Sequence, residues 1–140
     1  METTNKININ HKIFRAYDIR GKYPAEINEE IVCVIISLFI SKFKIKNEKL
    51  KIAVAHDTRL SSPTLYHAII EQLTISNQQL AIIKIGLSTT PMFYFLANYF
   101  NADLGIMITA SHNPKEYNGL KIVGKNAMPI SGEEVSKLVN

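Results

Sequence analysis

An α/β fold, with a largely parallel sheet covered by helices on both faces, is what this sequence predicts. Three observations lead there. Apolar runs of strand length recur at 51–57, 80–85, 102–109 and 119–123. Between them stand longer stretches that open on helix-start residues. Three polar loops, HDTRLSS, GLSTTP and TASHNP, each follow one of the apolar runs. Ligands gather at the carboxyl ends of strands in such sheets, so these loops should share one edge.

Each element has its own local reason. The first twelve residues, METTNKININHK, are polar and lack the hydrophobic segment of a secretory signal. HKIFRAYDIRG, 11–21, is a short extended segment closing on Gly21. Asn28 before Glu29 and Glu30 has the form of a helix N-cap with an acidic first turn. Residues 31–42 should follow as a buried helix, although their β-branched content leaves strand as a competitor. KIAVAHD, 51–57, is a strand ending in an Asp-Thr-Arg loop. Ser62 and Pro63 read as N-cap and first helical residue of a helix to about Ile75.

LAIIKI, 80–85, is a second, buried strand stopped by Gly86. TTP at 89–91 places hydroxyls before a proline, and MFYFLANYF continues as a helix. ADLGIMIT, 102–109, is a third strand and GLKIV, 119–123, a fourth. SGEEVSKLVN opens a final helix capped by Ser131 or Gly132. There is no internal repeat, low-complexity tract or Pro/Gly-rich linker, so residues 1–140 read as one domain.

Composition narrows the function classes. A content of 46% hydrophobic and 20% charged residues is that of a globular chain able to bury a core. The longest apolar run, IVCVIISLFI at 31–40, is too short to span a bilayer, so no membrane partner is expected. With Cys33 the single cysteine, disulfides and thiolate metal clusters are excluded, and the cytoplasm is the expected compartment. The net charge of +4 is carried by dispersed lysines, with a denser patch at 42–51. No aromatic interleaving or binding motif accompanies that patch, so no nucleic-acid partner is expected. A basic balance suits small anionic substrates.

Several familiar signatures fail on their chemistry. GLKIVGKN, 119–126, nearly spells a phosphate-binding P-loop, but Asn126 stands where a hydroxyl must meet magnesium, and LKIV is strand-like. The four histidines show no metal-ligand spacing. No G-x-S-x-G elbow surrounds a serine, and no base or oxyanion arrangement supports a hydrolase at Ser111. What remains is TASHNPKEYNGLK, 109–121. Turn chemistry accounts for Asn113-Pro114 and Asn118-Gly119. It does not require Ser111 and His112 at a strand exit, nor Lys121 in the next strand. On spacing alone, polar turn and functional loop stay equally open.

FRAYDIRG (14–21), DTRLSS (57–62), GLSTTP (86–91) and GIMITASHNPKEYNGLKIV (105–123) occur here in an order that resembles the first domain of the α-D-phosphohexomutases. FRAYDIRG favours the phosphomannomutase/phosphoglucomutase branch. The resemblance covers nearly all of the chain from Phe14 onward. It implies a three-layer α/β/α sandwich around a four-stranded mixed, largely parallel sheet. It also implies hexose phosphate substrates, mannose or glucose phosphate, with Ser111 carrying a phosphate that it donates to the sugar and recovers from a bisphosphorylated intermediate. Arg20 and His112 would neighbour that phosphate. Lys121 would assist proton transfer or hold charge beside it, and Tyr17 would line the substrate cleft together with Arg20 and Lys121.

The same resemblance implies magnesium, with Ser111 as a ligand through its phosphate. Its other ligands belong to a DGDGDR-type loop of a second domain that this sequence lacks. The chain is therefore expected to be an incomplete fragment, whose partners are the remaining domains of the same enzyme. One departure also stands out. The family reads Gly-Arg-Asp where this chain has Ala55-His56-Asp57, which puts the contacts of that arginine in question. The alternative is a free-standing, non-catalytic phosphosugar-binding or interaction module that keeps the loop.

Overall fold

The structure is a computed structural model that describes residues 7–42, 49–76 and 79–139. Most of the basic patch at 42–51 lies outside the described residues. In chain order the elements are β1 (Ile19–Lys22), α1 (Glu29–Ser41), β2 (Leu50–His56), α2 (Ser62–Thr74), β3 (Leu80–Leu87), α3 (Thr90–Tyr99), β4 (Leu104–Ile108), β5 (Tyr117–Val123), β6 (Pro129–Ile130) and α4 (Gly132–Val139).

One sheet runs in the order β1-β5-β4-β2-β3, and β6 also pairs with β5. β3, β2 and β4 are mutually parallel, whereas β5 is antiparallel to β4, β1 and β6. The expected class holds, with six strands among the described residues in place of four. The additional ones, β1 and β6, are four and two residues long and share the outer edge of β5. Neither is long enough to show a period of two in the sequence, so pairing defines them rather than pattern.

Side chains alternate across the pleat and build two cores, one on each face. Ile52 and Val54 of β2, Leu104, Ile106 and Ile108 of β4, and Leu120 and Ile122 of β5 meet α1, α2 and Val135 of α4. On the other face Ala53, Ala55, Met107 and Val123 pack against Phe93 and Ala97 of α3. The small residues of β2 on this second face let a single helix approach closely. The outer side of that helix leaves Met92, Phe95 and Tyr99 exposed.

The capping residues act where the sequence placed them, with one exchange. Asn28 Oδ1 accepts the Ile31 N–H at 2.9 Å, and Glu29 and Glu30 lie in the first turn. Residues 31, 32, 35, 36, 39 and 40 then bury one helical stripe, which settles 31–42 as helix rather than strand. Thr89 caps α3 by accepting the Met92 N–H, and Ser131 Oγ accepts from Glu134 at the start of α4. At α2 the cap position falls to Ser61, because the hydroxyl of Ser62 is turned instead to Asp57. The strand expected at 80–85 is not buried, because β3 is an edge strand of the sheet and its residues are half-buried or exposed. Gly86 does not stop that strand. It takes a φ of 77° where β3 slips one residue against β2, between the pairs Val54–Lys84 and Ala55–Gly86. Such a bulge bends the strand and re-aims the 87–91 loop beyond it.

Gly119 marks the closest approach of β1 to β5. A Cβ there would land on the Ile19 carbonyl oxygen and lie 3.0 Å from the Arg20 Cα, both of them backbone atoms that cannot turn aside. Gly119→Ala is therefore expected to destabilise the fold by about 3 kcal/mol. Gly124→Ala, whose nearest neighbour is Ile130 Cδ1 at 3.7 Å, should stay within about 0.5 kcal/mol of the parent. Urea titration followed by far-UV circular dichroism compares the two.

Candidate active site

Because β2, β3 and β4 run parallel, their carboxyl ends and the loops after them meet at one edge of the sheet. There a cleft of about 580 Å³ is lined by Asp57 and Thr58, by the Ser88–Pro91 loop, and by Thr109, Ser111 and His112. Met107 and Lys121 form part of its floor, and Tyr94 of α3 forms a wall. Lys121 reaches the cleft because it stands opposite Met107 in the β4–β5 register, on the face that packs against α3. The structure thus brings together Ser111, His112 and Lys121.

Tyr17 and Arg20 do not line this cleft. Tyr17 is 83% exposed in the loop before β1. Arg20 lies on β1 opposite Gly119, on the same sheet face as Lys121 but one strand further out. Its Nε is 2.7 Å from Oδ1 of the buried Asp18. His56 points elsewhere. It alternates to the α2 face, packs 4.9 Å from the Tyr66 ring, and its Nδ1 lies 2.8 Å from the Asp57 carbonyl oxygen. The residue that departs from the resembled family is thus turned away from the cleft.

The Ser111 loop is held by its own backbone and by its neighbours. Thr109 N–H donates to the Gly119 carbonyl at 2.9 Å, which carries the β4–β5 ladder to the loop's first residue. Thr109 Oγ1 accepts the Ser111 N–H at 3.0 Å. Ser111 takes a φ of 54°, the left-handed region that a residue with a Cβ occupies only when its surroundings impose it. Asn113 donates its N–H and its Nδ2 to the Ala110 carbonyl, at 3.1 and 2.8 Å. Tyr117 N–H donates to the Pro114 carbonyl at 3.0 Å and closes the turn into β5.

Two residues that were not singled out in the sequence join this loop to the next. Arg59, from DTRLSS, donates to the carbonyls of Ser111, Asn113, Pro114 and Tyr117. Asn118 is fully buried and donates from Nδ2 to Ser61 Oγ at 2.7 Å and Ser62 Oγ at 3.0 Å. Ser62 Oγ in turn donates to Asp57 Oδ1 at 2.5 Å. The only signal in the sequence for Asn118 was its place before a glycine, which turn chemistry explains as well.

Among the described residues no three His, Cys, Asp or Glu side chains come together in a way that holds a metal ion. Asp57, the carboxylate at the cleft, is engaged by Ser62 and Arg59. The side chains present do not assemble the octahedral oxygen set that magnesium requires.

Burial on the cleft wall raises the Tyr94 phenol above its ordinary value of 10.0, and the negative charge of Asp18 adds to the rise. The folded chain therefore keeps this proton at a pH where the unfolded chain has released it. The stabilisation is complete below about pH 10 and is lost as pH rises through the folded value. Tyr94→Phe is expected to make the fall in urea midpoint above pH 10 shallower while leaving the profile at pH 7 to 9 parallel. Asn118→Ala is expected to cost about 2 kcal/mol, since it leaves the buried Ser62 hydroxyl and the half-buried Ser61 hydroxyl without their donor. The matching check is an equilibrium urea titration at neutral pH.

The comparisons with known proteins converge. A family model described as phosphoglucomutase/phosphomannomutase, alpha/beta/alpha domain I, matches residues 11–140. A phosphomannomutase of Klebsiella pneumoniae is 42% identical over 120 residues, covering 86% of this chain and 73% of that protein. A phosphomannomutase of Escherichia coli strain K12 is 41% identical over 120 residues, and a Xanthomonas campestris protein described as phosphohexose mutases is 39% identical. The chain spans about a quarter of the length of these last two, 25% of each. Among solved structures, a phosphoglucomutase/phosphomannomutase family protein of Burkholderia thailandensis superposes with a TM-score of 0.79 at 30% identity, over 94% of this chain and 30% of that one.

Proposed function

This chain belongs to the phosphoglucomutase/phosphomannomutase family as its α/β/α domain I, and from that premise we propose that Ser111 is the phosphoserine of a hexose phosphate mutase. The observation that carries the reading is the meeting of Ser111, His112 and Lys121 in one cleft at the carboxyl edge of the sheet. In the forward step the bond from Ser111 Oγ to phosphorus breaks as a hydroxyl oxygen of a hexose phosphate bonds to phosphorus, and the hydroxyl proton passes to Ser111 Oγ. The sugar then holds two phosphates, and the one it carried at the start returns to Ser111. The net result interconverts hexose 6-phosphate and hexose 1-phosphate.

Such a transfer needs alignment and positive charge more than covalent machinery. The hydroxyl stands on a loop tied to a rigid strand, which supports the alignment. Lys121 and His112 face the same space and supply positive charge or hydrogen bonds to the phosphoryl oxygens. Arg20 and Tyr17 enter the reading at the rim. Arg20 lies on β1 beside β5 and Tyr17 in the exposed loop before it, and both would meet a substrate that reaches beyond the cleft.

Magnesium belongs to the activity of the family. The phosphate of Ser111 would supply one of its ligands, and the carboxylates would come from outside the described residues. No step is assigned to the ion on this chain. Completing the cycle is accordingly proposed to require the remaining domains found in the longer relatives. A cytoplasmic location is part of the same reading. Among the described residues no helix is long and apolar enough to cross a membrane.

Incubated with glucose 1,6-bisphosphate and magnesium, this chain is expected to gain a single phosphate on Ser111, slowly, without turning over hexose phosphates. Intact-protein mass spectrometry with peptide mapping reads the site. Ser111→Ala should abolish the label with little change in thermal midpoint, and Lys121→Ala should slow labelling at least tenfold. A phosphate mapped to Ser61, Ser62, Ser88 or Thr109 with Ser111 bare would overturn the mechanism. Binding of hexose phosphate without any labelling would favour the non-catalytic phosphosugar-binding module.

A further inference from the structure

We propose that Arg59 is a positioning residue of the phosphoserine loop, one that sets the orientation of Ser111 and contacts no phosphate itself. The proposal rests on the reading of Ser111 as the phosphoserine and adds to it the part that aims the hydroxyl.

An arginine this near a phosphorylated serine would ordinarily be assigned to the phosphate, since its planar fork matches phosphate oxygens. Its donors are otherwise engaged. A guanidinium has five N–H groups. Nη1 donates to the Pro114 carbonyl at 2.7 Å and the Tyr117 carbonyl at 3.2 Å. Nη2 donates to the Ser111 carbonyl at 2.8 Å and the Asn113 carbonyl at 2.7 Å. Nε faces Asp57 Oδ2 at 3.4 Å. All four Nη hydrogens are thus taken by carbonyls and Nε is turned to a carboxylate, so no pair of donors is left to fork onto a phosphate. The side chain is only 13% exposed and does not line the cleft, whereas Ser111 and His112 do.

The geometry says what those donors accomplish. Carbonyls of residues 111, 113, 114 and 117 turn inward onto one guanidinium, so the loop wraps around it. The Ser111 and His112 side chains are left on the outside, facing the cleft. Ser111 sits at a φ of 54°, which its own Cβ disfavours. Arg59 holds its carbonyl and Thr109 holds its N–H, so the peptides on both sides of that residue are fixed. Without Arg59 those carbonyls lose their shared donor, and Ser111 is free to relax to an ordinary backbone conformation. A lysine cannot replace it. Three donors on one nitrogen do not reach carbonyls spread along seven residues of chain.

The test uses the whole chain as Arg59→Lys and, beside it, Arg59→Ala. Amide hydrogen exchange is followed residue by residue, and Ser111 labelling by glucose 1,6-bisphosphate with magnesium is followed as a function of bisphosphate concentration. Labelling breaks the sugar O–P bond, forms the Ser111 Oγ–P bond, and passes the serine proton to the sugar oxygen. In Arg59→Lys the exchange of amides between 111 and 117 should accelerate at least tenfold, with β2 and β4 amides unchanged. The labelling rate at saturation should fall at least tenfold, and the half-saturating concentration should stay within twofold.

Unchanged loop exchange in Arg59→Lys would overturn the proposal. So would equal acceleration in β2 and β4, which marks Arg59 as a residue of the fold at large. A tenfold rise in half-saturating concentration with a quiet loop would mark it as a phosphate ligand. If the parent chain takes no phosphate, the phosphoserine reading fails, and loop exchange still decides whether Arg59 orders the loop.

Discussion

The cleft depends on one guanidinium enclosed by a loop, and the rest of the molecule can be understood as the means of bringing that group and its carbonyls to the same place. Arg59 stands after β2, and the carbonyls it engages run from the loop after β4 to the first residue of β5. The two strands β2 and β4 are neighbours in the sheet, and both run toward the same edge. A half-buried charge of this kind is tolerable because its Nη donors find carbonyl oxygens and Asp57 lies beside it. The loop in turn is tolerable in its strained form because those same oxygens find their donor.

A second linkage runs alongside the first. Asp57 receives the Ser62 hydroxyl and the Arg59 N–H, while Asn118 donates to Ser61 and Ser62. The start of α2, the end of β2 and the start of β5 are thereby joined by side chains. Polar networks of this sort are rigid when fully satisfied and costly when one member is lost. The sheet beneath adds a stiff base, with β4 buried at every position from Leu104 to Ile108. Precision at Ser111 is thus inherited from packing on one side and from hydrogen bonds on the other.

Much of the fold was legible in the residues. Asn28, Thr89 and Ser131 mark helix starts by chemistry that acts within four residues, and the runs at 51–57, 80–85, 102–109 and 119–123 mark strands by their own apolar content. The short strands β1 and β6 were not legible, because IRGK and PI carry no period and become strands only by meeting β5. Gly86 was misread as a stop for a related reason. A glycine signals a backbone that leaves the ordinary regions, and the neighbouring strand decides whether that departure ends an element or bulges it.

The site divides in the same way. Ser111, His112 and Lys121 stood in TASHNPKEYNGLK as polar groups that turn chemistry did not require, and the resemblance to the phosphohexomutases gave them their expected roles. Arg59 stood in a motif without a role, and Asn118 looked like half of a turn. Their partners lie more than fifty residues away in sequence, and nothing local announces such a pairing. By itself, then, the sequence determined most of the helices and the four longer strands, their order, and which loops share an edge. Only the tertiary structure decided which side chains face the cleft and which hold the loop behind it. Local signals depend on a residue's own dihedrals and near neighbours, whereas the direction of a guanidinium depends on where a distant stretch of backbone has turned its carbonyls.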